Sequence, residues 1–138
     1  MNNEVFTLDK DIKVFCLEAK PFPEGIPAAY QKLQSIIQSA HGRRYFGISR
    51  PENGEIVYKA AAEEMEEGEA ERLNCEPFVI KNGQYISIVI IDYLKDVQEI
   101  GRVFQQLIAY PGIDPDGYCI EMYAYNDKDV RCMVKLKS

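Results

Sequence analysis

The stretch YCIEMYAYNDKDVRCMVKL, residues 118–136, has the pattern of a β-hairpin in which one buried position of the first arm carries a carboxylate. Residues 126–129 link the arms and are rich in the Asn and Asp that accept turn geometry. Alternate side chains of a strand share a face, so Glu121 shares its face with Cys119 and Tyr123. One carboxylate among large aromatic side chains favours the wall of a cleft. An ordinary half-exposed face is the alternative, since tyrosine occurs on both kinds of surface.

Composition limits the classes of protein to which the chain can belong. The sequence has 138 residues, of which 28% are charged and 46% hydrophobic, and this predicts one domain spanning residues 1–138. A net charge of −6 argues against direct binding to nucleic acid. The longest apolar run, residues 88–91, is too short to cross a membrane, and no targeting segment follows Met1. We therefore expect a cytoplasmic protein with no membrane partner.

Several kinds of chemistry lack the residues that they need. His41 is the single histidine, which argues against a His-based triad or metal cluster, and we expect it at a helix end. The four cysteines show no Cys-x-x-Cys spacing and are expected to be buried thiols, so the expected metal site is none. No Gly-rich phosphate loop follows a strand, and no cofactor is expected. Arg43 and Arg44 are expected to be solvated, and so is the acidic run of residues 63–71.

Hydrophobic spacing and turn residues predict the order of elements. The predicted elements are one or two strands within Val5–Glu18, a helix from about Pro27 to Ala40, a hairpin of Tyr45–Ser49 and Ile56–Ala62, strands at Phe78–Ile80 and Tyr85–Ile91, a helix from about Lys95 to Ala109, and the hairpin of residues 118–136.

The two halves of the chain repeat one pattern. Ile26, Tyr30 and Leu33 match Ile100, Phe104 and Leu107 at an offset of 74 positions, while strand and turn residues match at 72 and 73. This predicts two strand-helix-strand-strand units, repeat 1 over about residues 5–66 and repeat 2 over about residues 78–137, with a cleft where they meet. At an offset of 73 Glu121 aligns with Ile48, so only one copy carries the carboxylate. That difference favours a binding role for Glu121.

The chain resembles the GyrI-like small-molecule-binding domains of the SOUL/GyrI superfamily, which also occur as effector-binding domains of AraC-type and multidrug-sensing regulators. The resemblance spans about residues 4–137 and rests on the duplicated unit and on four motifs. These motifs are Phe22-Pro23-x-Gly25-Ile26, Tyr45-x-Gly47-Ile48-Ser49, Gly83-x-Tyr85 and Ile120-Glu121-x-Tyr123.

The resemblance implies an α+β fold of duplicated βαββ modules. These would form a curved, mainly antiparallel sheet with two helices on one side and a ligand groove between the modules. It also implies that Glu121 faces cationic, often aromatic, ligands. A few relatives look like hydrolases that open strained rings with a tyrosine and that glutamate.

Two functions follow from these residues together with what the resemblance implies. The first is a stand-alone protein that senses or sequesters a cationic or amphipathic aromatic molecule, with a link to transcription regulation. Its expected ligand-binding residues are Glu121, Tyr123, Tyr85, Tyr58, Phe46 and Cys119. The second is a hydrolase of strained electrophiles, in which Glu121 and Tyr123 would be catalytic. The expected partners are a small molecule and either a regulated protein, such as a transcription regulator or a topoisomerase, or a second copy of the chain.

Overall fold

The computed structural model describes residues 3–37, 42–124 and 128–138, which form eight strands, three α-helices and one 3-10 helix. The strands are β1 (Glu4–Leu8), β2 (Ile12–Ala19), β3 (Tyr45–Glu52), β4 (Glu55–Glu63), β5 (Glu76–Ile80), β6 (Gly83–Ile90), β7 (Cys119–Tyr123) and β8 (Val130–Lys135). The α-helices are α1 (Ile26–Ile36), α2 (Glu69–Arg72) and α3 (Glu99–Ile108), and the 3-10 helix is Tyr93–Lys95.

All eight strands join one antiparallel sheet in the order β1-β6-β8-β7-β3-β4-β2-β5. This order is symmetric about the central β3–β7 pair, as expected for two copies of one unit. Each copy also lends its first strand to the other copy, because β1 pairs with β6 and β5 pairs with β2. The predicted α+β class with a curved antiparallel sheet is confirmed. The boundaries of the two repeats stay a prediction.

The two faces of the sheet have different coverings. One face curls around its own core, which includes residues of both edge strands, among them Leu8 on β1 and Ile80 on β5. On the other face α1 packs against β2 and β4, and α3 packs against β6 and β8. The central strands β3 and β7 therefore form the floor of a gap between the two helices.

Strand register corrects the alignment of the two copies. Gly47 pairs with Ala60 on β4, and Glu121 pairs with Cys132 on β8, while Gly47 and Glu121 lie directly opposite each other. Residues that lie directly opposite each other on paired strands share a face, so Gly47 shares the face of Glu121. Neighbouring residues of a strand face opposite sides, so Ile48 faces the other side of the sheet. The equivalent of Glu121 is thus Gly47, at the offset of 74 found for the helices. The alignment with Ile48 was wrong.

Most element boundaries lie within a few residues of their predictions. β3 and β4 are joined by Asn53 and Gly54, whose φ angles of 54° and 83° suit a two-residue hairpin turn. Helix α1 ends at Ile36, earlier than predicted, because Ile37 is extended. The predicted helix end at His41 and part of the predicted turn of residues 126–129 lie outside the described residues.

The expectation of a solvated Arg43 is wrong, and within the acidic run the expectation is wrong at Glu69, whereas residues 65–68 are exposed. Both nitrogens at the tip of the Arg43 guanidinium bond to the Glu69 carboxylate at 3.0 Å, and the two side chains are 6% and 4% exposed. Glu69 also accepts the backbone N–H groups of Met65 and Glu66 at 2.5 and 2.9 Å. This pairing fixes the segment that contains α2. A non-local partner therefore buries a residue of the acidic run.

The remaining predictions concern the thiols and the membrane. All four cysteines are free, with Cys16 and Cys132 buried and Cys75 and Cys119 half-buried. Among the described residues, no helix has the length and apolar character needed to cross a bilayer.

Candidate functional site

A cavity of about 1740 Å³ occupies the gap between α1 and α3. Its floor comes from β3 and β7, with Ser49 and Cys119 on one side of the Gly47–Glu121 pair. The cavity extends over both copies of the unit. Its lining residues include Phe22, Ile26, Tyr30, Tyr45, Tyr58, Tyr93, Ile100, Phe104, Glu121 and Tyr123.

Glu121 is the acidic group at the centre of the cavity floor. Its exposed fraction is 7%, and it forms no ion pair within the described part of the chain. Tyr58 Oη donates to Oε1 at 2.9 Å, and Tyr123 Oη donates to the same oxygen through a short hydrogen bond. Within the described residues Oε2 receives no hydrogen bond, so one carboxylate oxygen is left for a ligand.

Tyr30 extends this network from α1. Its hydroxyl lies 2.7 Å from the Phe46 carbonyl oxygen and 2.9 Å from Tyr58 Oη. Because Tyr58 gives its single proton to Glu121, Tyr30 can give its own proton to either of these two oxygens. Three hydroxyl groups and one carboxylate thus link α1, β4 and β7, and the Phe46 carbonyl adds β3 to the network.

Burial sets the electrostatics of the network. Removal from water raises the pKa of Glu121, and the hydrogen bonds from Tyr123 and Tyr58 oppose this rise. Burial and the Glu121 charge also raise the pKa values of Tyr30, Tyr58 and Tyr123, so these hydroxyls stay protonated donors. Burial raises the pKa of the Cys119 thiol to about 11, which disfavours the thiolate.

Gly47 leaves the space that the network occupies. A Cβ at this position would lie 2.1 Å from Tyr58 Oη and 2.7 Å from Glu121 Oε1. Both distances are far below van der Waals contact, so no other residue fits without moving the carboxylate or the tyrosine. The first copy thus has a glycine where the second copy has the glutamate, and the glycine makes room for it.

Aromatic rings surround the carboxylate. Phe22 stacks on Tyr58 with ring centroids 6.0 Å apart, and Tyr30 meets Tyr123 edge to face at 6.1 Å. Tyr93 lies 5.3 Å from Tyr123. These rings offer faces and edges to a flat or tetrahedral aromatic ligand, and the faces attract cations.

The basic residues that line the cavity have other contacts. Arg44 pairs with Glu63 at 2.8 Å, and Arg43 pairs with Glu69 as described above. The Arg50 guanidinium lies 4.4 Å from the centre of the Tyr118 ring. None of them forms a hydrogen bond or an ion pair with Glu121 among the contacts of the described residues.

The structure brings together four of the six predicted ligand-binding residues. Glu121, Tyr123, Tyr58 and Cys119 all line the cavity. Tyr85 and Phe46 do not, because both belong to the core on the opposite face of the sheet. The Tyr85 hydroxyl donates to the Lys81 carbonyl at 2.6 Å and is already satisfied. These two assignments are corrected.

Three aromatic residues beside Glu121 are absent from the predicted ligand-binding residues. Tyr30 lies within the predicted first helix, and Phe22 and Tyr93 lie outside the predicted strands and helices. A signal for Tyr30 was present, because its match in the other copy is Phe104 and only the hydroxyl differs. Phe22 and Tyr93 precede their helices and carry no periodic signal.

The arrangement offers a carboxylate and hydroxyl groups for binding. Among the described residues, no group of three or more His, Cys, Asp and Glu side chains could hold a metal ion. The cavity side chains themselves support electrostatic attraction, aromatic stacking and proton exchange at Glu121.

Comparisons with known proteins give the fold. The chain matches no protein-family model and no curated protein. It is similar to the structure of SAV2435 bound to tetraphenylphosphonium, with a TM-score of 0.73, 14% identity, and coverage of 100% of this chain and 95% of that one. An integron cassette protein, VCH_CASS2, from the mobile metagenome of Vibrio cholerae gives a TM-score of 0.72 at 10% identity, covering 98% and 95%. A hydrolase from Listeria innocua gives 0.61 at 9% identity, covering 98% and 91%. At these identities, the likenesses establish a shared fold.

Proposed function

We propose that this chain is a small-molecule-binding protein of the GyrI-like type that senses or sequesters amphipathic aromatic cations. The observation that carries the proposal is Glu121, a buried carboxylate in an aromatic cavity with no basic partner among the described residues. Tyr58 and Tyr123 hold one oxygen, and the other is available to the ligand.

The charge of the ligand follows from desolvation. A buried carboxylate that lacks a positive partner loses the water that would stabilise it, and two hydroxyl donors replace only part of that loss. A cation that enters the cavity supplies the missing interaction. An anion would add repulsion, and a neutral molecule would leave the carboxylate as it is.

The shape of the ligand follows from the rings. Phe22, Tyr30, Tyr58, Tyr93 and Tyr123 surround the carboxylate at several orientations, so aromatic groups can contact them in more than one arrangement. Each cation–π contact contributes about 0.5 to 2 kcal/mol. Tolerance of shape combined with one fixed charge is typical of a site that accepts a class of compounds.

The structural comparison supports the same ligand class. SAV2435, whose fold the chain shares, is bound in its structure to tetraphenylphosphonium, a lipophilic aromatic cation. The shared fold makes this compound a suitable first probe for Glu121.

Calorimetric titration with tetraphenylphosphonium tests the proposal. We expect Glu121→Gln to weaken binding by about 1 to 3 kcal/mol, the range for a charged partner lost from a buried site. Glu76→Gln is the matched control, because it removes the same charge from a residue that pairs with Lys59 and does not line the cavity. Equal weakening by both variants, or none by either, would contradict a specific role for Glu121.

Hydrolysis of strained electrophiles is the second candidate. Two observations favour this candidate. Tyr123 donates a hydrogen bond to Glu121, and burial raises the pKa of Glu121, which suits a group that accepts and returns a proton. In such a reaction Glu121 would take a proton from the attacking water, Tyr123 would give a proton to the leaving atom, and the protonated Glu121 would then return a proton to the Tyr123 oxygen. Mass spectrometry of a strained cyclic electrophile after incubation decides it: turnover that Glu121→Gln abolishes would make the protein an enzyme, and no addition of water would make it a binding protein.

The setting of this binding protein is part of the proposal. Four free thiols support a reducing compartment such as the cytoplasm. With a net charge of −6, any effect on transcription would act through a protein partner and not through direct contact with DNA.

A further inference from the structure

We propose that the α3 half of the cavity binds the apolar arm of an elongated cationic amphiphile whose positive head lies at Glu121. This inference rests on the proposed function, because it describes the second half of the same ligand. It names a more specific class than a compact aromatic cation.

The duplication shows how the two halves differ. The helix match and the strand register show which positions of the two copies are equivalent. At three of these positions the first copy has a tyrosine and the second copy has a residue without a hydroxyl group. The pairs are Tyr30 with Phe104, Tyr45 with Cys119 and Tyr58 with Val130. One fold therefore presents hydroxyl groups on its α1 side and only apolar side chains or a thiol at the same positions on its α3 side.

The α3 wall has no charge. Its cavity-lining residues are Ile100, Gly101, Phe104, Gln105 and Ile108. Gln105 is the one polar side chain among these five residues, so the wall offers little to a polar ligand group and mainly favours the burial of methylene groups.

Apolar side chains at the edge of this wall face water. Val97 and Ile108 line the cavity and are 56% and 46% exposed. On the α1 side, Phe22 is 42% exposed, but its ring already stacks on Tyr58. The exposed apolar surface beside α3 would be covered by a ligand that reaches along the helix.

The size of the cavity also favours an elongated ligand. Its volume of about 1740 Å³ exceeds the roughly 300 to 1000 Å³ of most small-molecule sites. A compact cation seated at Glu121 would leave the α3 half empty. Because the cavity is continuous, the same molecule can occupy both halves.

A series of alkyltriphenylphosphonium ions, from methyl to hexyl, tests the inference by calorimetry below the concentrations at which they aggregate. Burial of each methylene raises affinity by roughly fourfold when it leaves water completely. We expect hexyl to bind at least tenfold more tightly than methyl. A flat series, with methyl still dependent on Glu121, would overturn the inference and leave the proposed function intact. Failure of every member to bind would instead overturn the proposed function.

Two variants locate the arm. Phe104→Ala should reduce the gain from methyl to hexyl at least threefold while the methyl compound binds as before. Val97→Asn changes a solvent-exposed residue outside the core and should act in the same direction, which keeps the test valid if Phe104→Ala does not fold. If the increase in affinity from the methyl to the hexyl compound is the same in Val97→Asn as in the wild type, and also in Phe104→Ala where that variant folds, the arm lies elsewhere and the inference is overturned.

The matched control lies on the α1 side. Phe22→Ala should weaken all members of the series by the same factor, because Phe22 stacks on Tyr58 beside the head group. Sedimentation at the calorimetric concentrations addresses the other occupant of an apolar wall, a second copy of the chain. A dimer that the long-chain ligands do not dissociate, together with a flat series, would show that protein covers the α3 wall.

Discussion

At the scale of single residues, the burial of Glu121 costs free energy that a bound cation can offset. The carboxylate is 7% exposed, and its two hydrogen-bond donors are neutral hydroxyl groups. Neutral donors stabilise a buried charge less than a paired cation does. The empty site therefore holds its charge at a cost to folding, and a bound cation would recover part of that cost.

The first prediction concerns pH. Burial raises the pKa of Glu121 above its ordinary 4.5, so between 4.5 and the higher folded value the folded protein binds more protons than the unfolded chain. The contribution of Glu121 to the free energy of unfolding thus falls as pH rises through this window. Cation binding needs the ionised form, so affinity for tetraphenylphosphonium should increase with pH, by at most about tenfold per unit, and level off above the folded pKa.

Titrations from pH 5 to pH 9 measure this linkage. Glu121→Gln is the control, since it has no proton to release and should bind weakly with little dependence on pH. A wild-type affinity that stays constant over the whole range would contradict a raised pKa at the ligand site.

The second prediction concerns Gly47. A Cβ at this position would overlap Tyr58 Oη and Glu121 Oε1, so Gly47→Ala should destabilise the fold by about 1 to 3 kcal/mol and weaken cation binding. Gly101→Ala on α3 is the matched control, because a Cβ there meets nothing within 4 Å. That change should stabilise the protein by roughly 0.5 to 1 kcal/mol. Urea denaturation measures both, and a Gly47→Ala protein as stable as the wild type would show that the network is not tightly packed.

The residue scale also shows how far sequence can predict a site. Alternation along β7 placed Glu121, Tyr123 and Cys119 on one face, and the structure places them in one cavity. Tyr85 was assigned wrongly because β6 is apolar on both faces, so the alternation of apolar and polar residues does not tell on which face of the sheet the Tyr85 side chain lies. Phe46 was assigned wrongly to the site because its neighbour Gly47, and not Phe46, shares the face of Glu121.

At the scale of elements, one buried ion pair fixes the connection between β4 and β5. The Arg43 guanidinium holds Glu69, which in turn accepts two backbone N–H groups of the preceding turn. Sequence could not predict this pairing, because the partners lie 26 residues apart and the surrounding acidic run suggests solvation. Local hydrophobic spacing and turn residues predicted α3 and the β3–β4 hairpin well, because these elements depend on neighbouring residues of the sequence.

The third prediction tests this pair. Glu69→Gln leaves the Arg43 charge buried without its partner and should cost about 3 to 5 kcal/mol in the free energy of unfolding at pH 7. The hydrogen bonds from Arg43 lower the pKa of Glu69 to about 2. Its contribution is therefore complete above the ordinary 4.5 and is lost as pH falls from 4.5 towards 2.

Urea denaturation at pH 7 and at pH 3 measures this difference. The difference in the free energy of unfolding between the wild type and Glu69→Gln should be smaller at pH 3 than at pH 7. Glu66→Gln, whose side chain is 72% exposed, should match the wild type at both values. A gap that is equal at pH 7 and pH 3 would contradict the assigned role of the Glu69 charge.

At the scale of the whole molecule, the two copies are joined by exchange of their first strands. β1 pairs with β6, β5 pairs with β2, and the central β3–β7 pair brings Gly47 next to Glu121. The duplication was predictable from matched helix residues. The exchange of strands was not, because both copies have the same pattern and only pairing in space distinguishes them.

The fourth prediction follows from this exchange. Fragments of residues 1–74 and 75–138, made separately, should each lack a cooperative unfolding transition, because each misses a strand that the other supplies. Mixed together they should recover the transition by circular dichroism and bind tetraphenylphosphonium. Cooperative unfolding of either fragment alone would show that the copies are independent units.

A thermodynamic cycle isolates the attraction between the Glu121 charge and a cation inside the cavity. Calorimetry would measure the affinities of methyltriphenylphosphonium and of neutral triphenylphosphine oxide for the wild type and for Glu121→Gln. We expect the substitution to weaken binding of the cation by about 1 to 3 kcal/mol more than binding of the neutral compound. Equal losses for the two ligands would contradict this expectation and would leave Glu121 as a structural residue of the cavity floor.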